Sequence, residues 1–273
     1  MSKNNRYGDI FLPVCLAVLG CLVSLACKKV IQADLNNAAP QIVIEGNISN
    51  AQGPYRVLIS STVNFSASNT FPPVSGATVS ITDSTIGETE QLLESDPGVY
   101  LSHHLVGVPR HTYNLLVIAA GKQYTASSTM PVPVPLDSVT FSENIGFDNK
   151  IDVNAIVNFQ DPRGITNYYQ FTEALNSKPV PDVFVFEDRL SDGRYIEYPL
   201  YNDSSYLQRG DTLLLTMNGV DQHIYNYYFT LANVTGNNSF QSTTPANPVS
   251  NLSNGALGYF SAHTTIAQRV LVY

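Results

Sequence analysis

Ala77-Thr78-Val79-Ser80-Ile81-Thr82 sets Ala77, Val79 and Ile81 on one side of an extended chain and Thr78, Ser80 and Thr82 on the other. That period of two marks a strand with one face in a core and the other in water. Upstream, Gln41 to Ser49 (QIVIEGNIS) is rich in β-branched residues, Asn50 to Pro54 carries turn chemistry, and Tyr55 to Ser61 alternates again. Downstream, Glu88 to Leu93 follows a turn at Ile86-Gly87, and Asp96-Pro97-Gly98 leads into Val99-Tyr100-Leu101. Tyr113 to Ala119 then turns through Ala120-Gly121-Lys122 into Gln123 to Ser128. Six or seven short strands separated by turns predict an immunoglobulin-like β-sandwich over residues 41–130.

Met130 to Leu136 reads MPVPVPL. Alternate prolines favour extended polyproline geometry, so residues 131–136 are expected as a semi-rigid linker. Beyond it, Ile151, Val153, Ala155, Val157 and Phe159 alternate with polar residues, and Asp161-Pro162-Arg163-Gly164 forms a turn. Further strands are expected over residues 167–175, 181–186, 194–198, 212–217, 255–263 and 268–273. One stretch departs from this pattern. Asp221 is placed to cap a helix whose Ile224, Tyr228 and Leu231 fall at i, i+4 and i+7, and residues 233–248 read as a polar loop after it. Residues 137–273 are thus expected to form a second β-rich domain with one short helix, in a mainly β chain.

Composition agrees. Charged residues make up 13% of the chain, and 16 tyrosines and 12 phenylalanines accompany no tryptophan, as in a β-protein. A net charge of -8 without a basic stripe argues against nucleic-acid binding.

The N-terminus has its own logic. Lys3 and Arg6 precede an apolar run, Phe11 to Cys27 (FLPVCLAVLGCLVSLAC), that ends at Lys28-Lys29. Ser24-Leu25-Ala26-Cys27 puts small residues before a cysteine and resembles a bacterial lipobox. Residues 1–27 are expected as a lipoprotein signal peptide, with Cys27 retained, lipidated and anchored in the membrane by fatty acyl chains. Val18-Leu19-Gly20-Cys21 is a rival. Cys27 is preferred because cleavage at Cys21 leaves Leu22 to Ala26 as an exposed apolar stub. Residues 28–40 read as a flexible tether. The three cysteines, at positions 15, 21 and 27, all lie in this segment, so the mature chain is expected to hold no disulfide and no cysteine-bound metal.

The chain carries no G-x-S-x-G, H-E-x-x-H, P-loop or G-x-G-x-x-G motif. No catalytic residue, cofactor-binding residue or metal ligand is assigned, and a non-enzymatic role is expected. His103, His104 and His111 are expected as solvated strand-end or loop residues, since adjacent strand positions face opposite ways. Asp182, Glu187 and Asp188 lack the spacing of a calcium loop and are expected as exposed turn carboxylates. The tyrosines Tyr168, Tyr169, Tyr195, Tyr198, Tyr201 and Tyr206, then Tyr225, Tyr227 and Tyr228, are concentrated in the second half. Tyr168, Tyr169, Tyr195 and Tyr198 are the candidate ligand or partner contacts, because tyrosine offers large contact area at low entropic cost. The rival expectation is that they fill core edges, and the pair Tyr168-Tyr169 must divide between two faces.

Several short motifs occur in a fixed order: Ile44-Glu45-Gly46, Gly53-Pro54-Tyr55, Pro73-Val74-Ser75-Gly76-Ala77-Thr78-Val79, Gly107-Val108-Pro109 and Met130-Pro131. Asp161-Pro162 before Asn167-Tyr168-Tyr169, and Ala246-Asn247-Pro248 leading to Gly255-Ala256-Leu257-Gly258-Tyr259-Phe260, complete the series. This order resembles the Bacteroidetes lipoproteins that carry domain of unknown function 4249, and the first half, residues 41–130, also resembles the carboxypeptidase-regulatory and transthyretin-like sandwiches. The resemblance implies an outer-membrane, lipid-anchored protein, facing the periplasm or the cell surface. It implies work beside a TonB-dependent, SusC-like transporter as an accessory or substrate-capture subunit, and supplies no catalytic residue. The alternative from a different class is a stand-alone surface adhesin or glycan binder.

Overall fold

Strands form where the alternation places them. The computed structural model describes residues 39–64, 70–145, 151–201, 207–235 and 247–273. Cys27, the expected signal peptide 1–27 and the expected tether as far as residue 38 lie outside the described residues, as does Tyr206. The first half contributes β1 (Ile42–Ser49), β2 (Arg56–Ser61), β3 (Thr78–Asp83), β4 (Glu88–Asp96), β5 (Val99–Leu101), β6 (Thr112–Ala119) and β7 (Lys122–Thr129). In β3, Val79 and Ile81 are fully buried while Ser80 and Thr82 stay half-exposed.

The second half contributes β8 (Ser138–Ile145), β9 (Ile151–Gln160), β10 (Tyr168–Leu175), β11 (Lys178–Pro179), β12 (Phe184–Glu187), β13 (Tyr195–Leu200), β14 (Thr212–Val220), α1 (Gln222–Thr235) and β15 (Leu257–Leu271). Strand β8 is one the sequence pattern did not predict. It carries Ser, Thr and Glu among few apolar residues, and hydrogen bonding along β9 recruits it. The helix begins where Asp221 predicts, yet it continues to Thr235, three residues into the expected loop. The closing strands expected over 255–263 and 268–273 are one strand, because polar Thr264 and Thr265 pair with β14 rather than turn.

The large sheet runs in the order β11-β10-β14-β15-β1-β2-β5-β4-β3-β6-β7, with β12 also paired to β10. A second sheet runs β13-β9-β8. The pairing of β1 with β15 is parallel, from Val43 opposite Leu257 to Ser49 opposite His263. The motifs Ile44-Glu45-Gly46 and Gly258-Tyr259-Phe260 meet in this pair. Each glycine has a steric reason. A Cβ on Gly258, whose φ is +92°, lies 2.1 Å from the Ile44 carbonyl oxygen, and one on Gly46 lies 2.9 Å from the Phe260 ring.

Sheet curvature brings β7 back beside β15. The Ala262 N–H donates to Ser128 Oγ at 2.8 Å. Asn251 spans the gap: Nδ2 donates to the carbonyls of Ser127 (3.4 Å) and Phe260 (2.8 Å), while Oδ1 accepts from the Phe260 N–H (3.0 Å). Ser253 completes the cover, its N–H donating to Thr125 O and its Oγ accepting from the Thr125 N–H, both at 2.8 Å. Side chains thus satisfy part of an edge that is otherwise open to another chain.

Two cores result. The first gathers Val57, Val79, Ile81, Tyr100, Tyr113 and Leu115 around Phe260 and Ala262 of β15. The second packs Ala155, Val157, Phe159 and Ile196 against Tyr169, Phe171, Leu213, Leu215 and Met217. Residues from both sides of the proline run build the first core, so the division expected at 131–136 does not separate two self-contained sheets. Among the described residues, no helix is long and apolar enough to cross a membrane.

Candidate functional site

The four candidate tyrosines do not share one surface. Tyr169 is 1% exposed and packs on Phe159 with ring centroids 4.8 Å apart. Tyr198 lies between Phe171 and Phe186, at 5.5 and 5.0 Å, and its hydroxyl donates to Val185 O at 3.1 Å. Both rings face the second core, Tyr169 fully buried and Tyr198 partly exposed at its edge. Their phenol pKa values rise because burial disfavours the phenolate. Tyr195 is 52% exposed on β13, away from this cluster. Tyr168 is half-buried, and it alone of the four joins a surface aromatic group.

Strand β10 and helix α1 build that group. Asp221 caps α1, its Oδ1 accepting the Ile224 N–H at 3.0 Å. Ile224 turns inward and is fully buried. Tyr225 and Phe229, one turn apart, stack at 5.8 Å, and Tyr225 meets Tyr168 at 5.2 Å. Phe229 ends this ladder 47% exposed. Glu187 pairs opposite Tyr168 across β10 and β12, and it holds Arg189 at 3.1 Å. The arrangement is an aromatic strip flanked by an ion pair, which suits an apolar ring face or a protein side chain better than bond-making chemistry. Phe229 was missed in the sequence because only tyrosines were weighed. Its signal was the i, i+4 spacing from Tyr225.

The Asp161-Pro162 and Asn167-Tyr168-Tyr169 motifs form an acidic corner beside the second core. One oxygen each from Asp161, Asp188 and Asp192 lies within 4.8 Å of the others, the arrangement nearest to a cation-binding set among the described residues. Internal hydrogen bonds account for it. Asp161 Oδ1 accepts from the Tyr169 hydroxyl at 2.7 Å, and Oδ2 accepts from the Gly193 N–H at 3.0 Å. Asp188 Oδ2 accepts from the Asn167 N–H at 2.9 Å, and Asp192 Oδ1 from the Gly164 N–H at 2.7 Å. Burial first, and then the charge of Asp161, hold the Asp188 carboxyl above its ordinary pKa. The expectation that Asp188 is an exposed turn carboxylate is therefore corrected: it is buried, because the chain closes the corner around Asn167.

His103 and His104 are exposed, but their backbone N–H groups and that of Leu105 donate to Glu90. Those bonds hold the Glu90 carboxyl below its ordinary pKa against the opposing effect of burial. His111 corrects the expectation of a solvated loop histidine. Its Nδ1 lies 2.6 Å from Oδ2 of buried Asp83.

The family described as "Domain of unknown function (DUF4249)" matches residues 28–269. The chain belongs to this family. No curated protein matches it. For a DUF4249 chain the ordered motifs now have physical roles. Ile44-Glu45-Gly46 and Gly258-Tyr259-Phe260 make the parallel pair, and Asp161 with Asn167-Tyr168-Tyr169 makes the acidic corner. These motifs are places where the chain closes on itself, and the aromatic ladder lies outside them except at Tyr168.

Proposed function

We propose that this DUF4249 protein is a non-enzymatic Bacteroidetes lipoprotein of the outer membrane, anchored through Cys27. It works as an accessory or substrate-capture subunit of a TonB-dependent, SusC-like transporter. The Tyr168–Tyr225–Phe229 ladder is the observation that carries the contact role, because it places three adjoining rings, ending in exposed Phe229, beside the Glu187–Arg189 pair. The Ser24-Leu25-Ala26-Cys27 pattern supports the anchor. Affinity purification of the tagged protein from its own membranes tests the partner. A transporter barrel is expected in the eluate, with recovery reduced several-fold by Phe229→Ala. An eluate without a barrel rejects the accessory role. The same ladder favours one rival, a stand-alone glycan-binding adhesin, since sugar rings also stack on aromatic faces. Glycan binding that persists after deletion of the transporter genes selects that rival.

A further inference from the structure

The outer face of β1, β2 and the first half of β15 carries a second group of polar side chains. Strand register fixes their order. Asn47 lies between Arg56 of β2 and Ser261 of β15, Glu45 lies beside Tyr259, and Ser49 lies beside His263. Glu45, Asn47, Arg56, Tyr259 and His263 line a concavity of about 290 Å³, at the small end of the range for small-molecule sites.

Two features separate this concavity from an ordinary wetted strand face. Glu45 and Arg56 are diagonal neighbours on the same face, and the ion pairs of the described residues include neither. Strand geometry sets such neighbours roughly 7–8 Å apart, which leaves room for a group between the two charges. The second feature is a neutral imidazole. His263 Nδ1 shares a 3.0 Å hydrogen bond with the Ser261 hydroxyl, and Ser261 is itself buried. Burial pushes the His263 pKa down to about 4, so the ring carries no charge at neutral pH. Asn47 Nδ2 donates to the Tyr259 hydroxyl at 3.3 Å, and Tyr227 and Tyr228 pack on the Tyr259 ring at 4.8 and 5.3 Å, bracing that wall.

The concavity therefore offers one anion, one cation and uncharged hydrogen-bonding groups between them. A neutral sugar leaves both charges without a counterpart. A plain carboxylate meets Glu45, and a plain amine meets Arg56, as a like charge. A ligand with both signs on adjacent atoms matches both walls. We propose that this concavity binds a free α-amino acid, its ammonium group on Glu45 and its carboxylate on Arg56. The site is independent of the aromatic ladder and of any membrane partner.

Titration calorimetry of the intact protein with L-alanine, L-leucine and L-glutamate tests it, with ethylamine and propionate as single-charge analogues. At least one amino acid is expected to bind saturably, and both analogues at least about tenfold more weakly. Glu45 and Arg56 are exposed, so Glu45→Gln and Arg56→Gln are expected to keep the far-ultraviolet dichroism of the parent. Each is expected to weaken amino-acid binding at least about tenfold. Absence of saturable heat with all three amino acids at millimolar concentration overturns the proposal. So does unchanged affinity in both variants, or propionate binding as tightly as alanine.

Discussion

Asp188 is an acid that the fold makes easier to protonate. Burial and the neighbouring charge of Asp161 raise its pKa in the folded chain. The unfolded carboxyl titrates near its ordinary value of about 3.9. Between those two values the folded state holds more proton, so this residue favours folding at acid pH. Its contribution is lost as pH rises through the folded pKa. Asp188→Asn removes the charge and keeps an oxygen able to accept the Asn167 N–H. Measured by urea unfolding, the variant is expected to gain stability relative to the parent at pH 7, with the difference shrinking toward pH 4. A difference that stays constant over that range contradicts the assignment. Tyr169 serves the same corner in the opposite sense, because its hydroxyl supports buried Asp161. Tyr169→Phe leaves that oxygen one donor short and is expected to cost about 1–3 kcal/mol in the same assay. Equal stability of parent and variant contradicts the role given to the hydroxyl. Little of this was legible in advance. Asp161 reads as a turn residue and Asp188 as a surface acid, and only the closing of Asn167 between them reveals two buried carboxylates.

Helix α1 was legible, and for a local reason. A cap and three apolar residues at helical spacing sit within eleven residues of each other, so one short window contains the whole signal. What the window hides is the second task of the cap. Asp221 Oδ2 accepts from the Ser128 hydroxyl at 2.6 Å and from the Thr129 N–H at 3.2 Å, while Ser128 Oγ accepts from the Ala262 N–H. The carboxylate therefore ties the helix start to β7, and through Ser128 to β15. An isolated cap is worth about 1 kcal/mol. Asp221→Ala is expected to cost more, about 2–3 kcal/mol, because two further donors lose their acceptor. A double-mutant cycle with Ser128→Ala separates the two roles, and a shared network predicts losses that are smaller together than their sum. Full additivity reduces Asp221 to a cap alone. Strand β8 failed for the converse reason. Its alternation is short, Val139 and Phe141 followed by three polar residues, and β9 supplies the hydrogen-bonding edge that makes it a strand.

At the scale of the whole molecule, β15 decides whether the protein unfolds as one body or two. The sequence divides at the proline run, and each half alone reads as a plausible β-domain. The pairing that contradicts this joins Ile44 to Gly258, residues far apart in the chain, and no local pattern encodes such a contact. Its only trace is a glycine in each strand, and a glycine alone does not name its partner. In the folded chain β15 pairs with β1 along its first half and with β14 along its second. Phe260 and Ala262 fill the first core, while Val270 and Val272 reach the second. Losing the first core strips the first half of β15 of its parallel partner and exposes Phe260, while the second half keeps its pairing with β14. Separate unfolding of the cores therefore requires breaking a continuous strand in its middle, a costly boundary. Phe260→Ala is expected to destabilise the first core by about 3–5 kcal/mol. If the strand couples the cores, fluorine labels at Tyr100 in the first core and Phe171 in the second report one common midpoint, and Phe260→Ala moves both by the same amount. Two midpoints in the parent, with only the Tyr100 signal shifted by the substitution, mean that β15 is a linker with strand geometry rather than the element that makes the fold one unit.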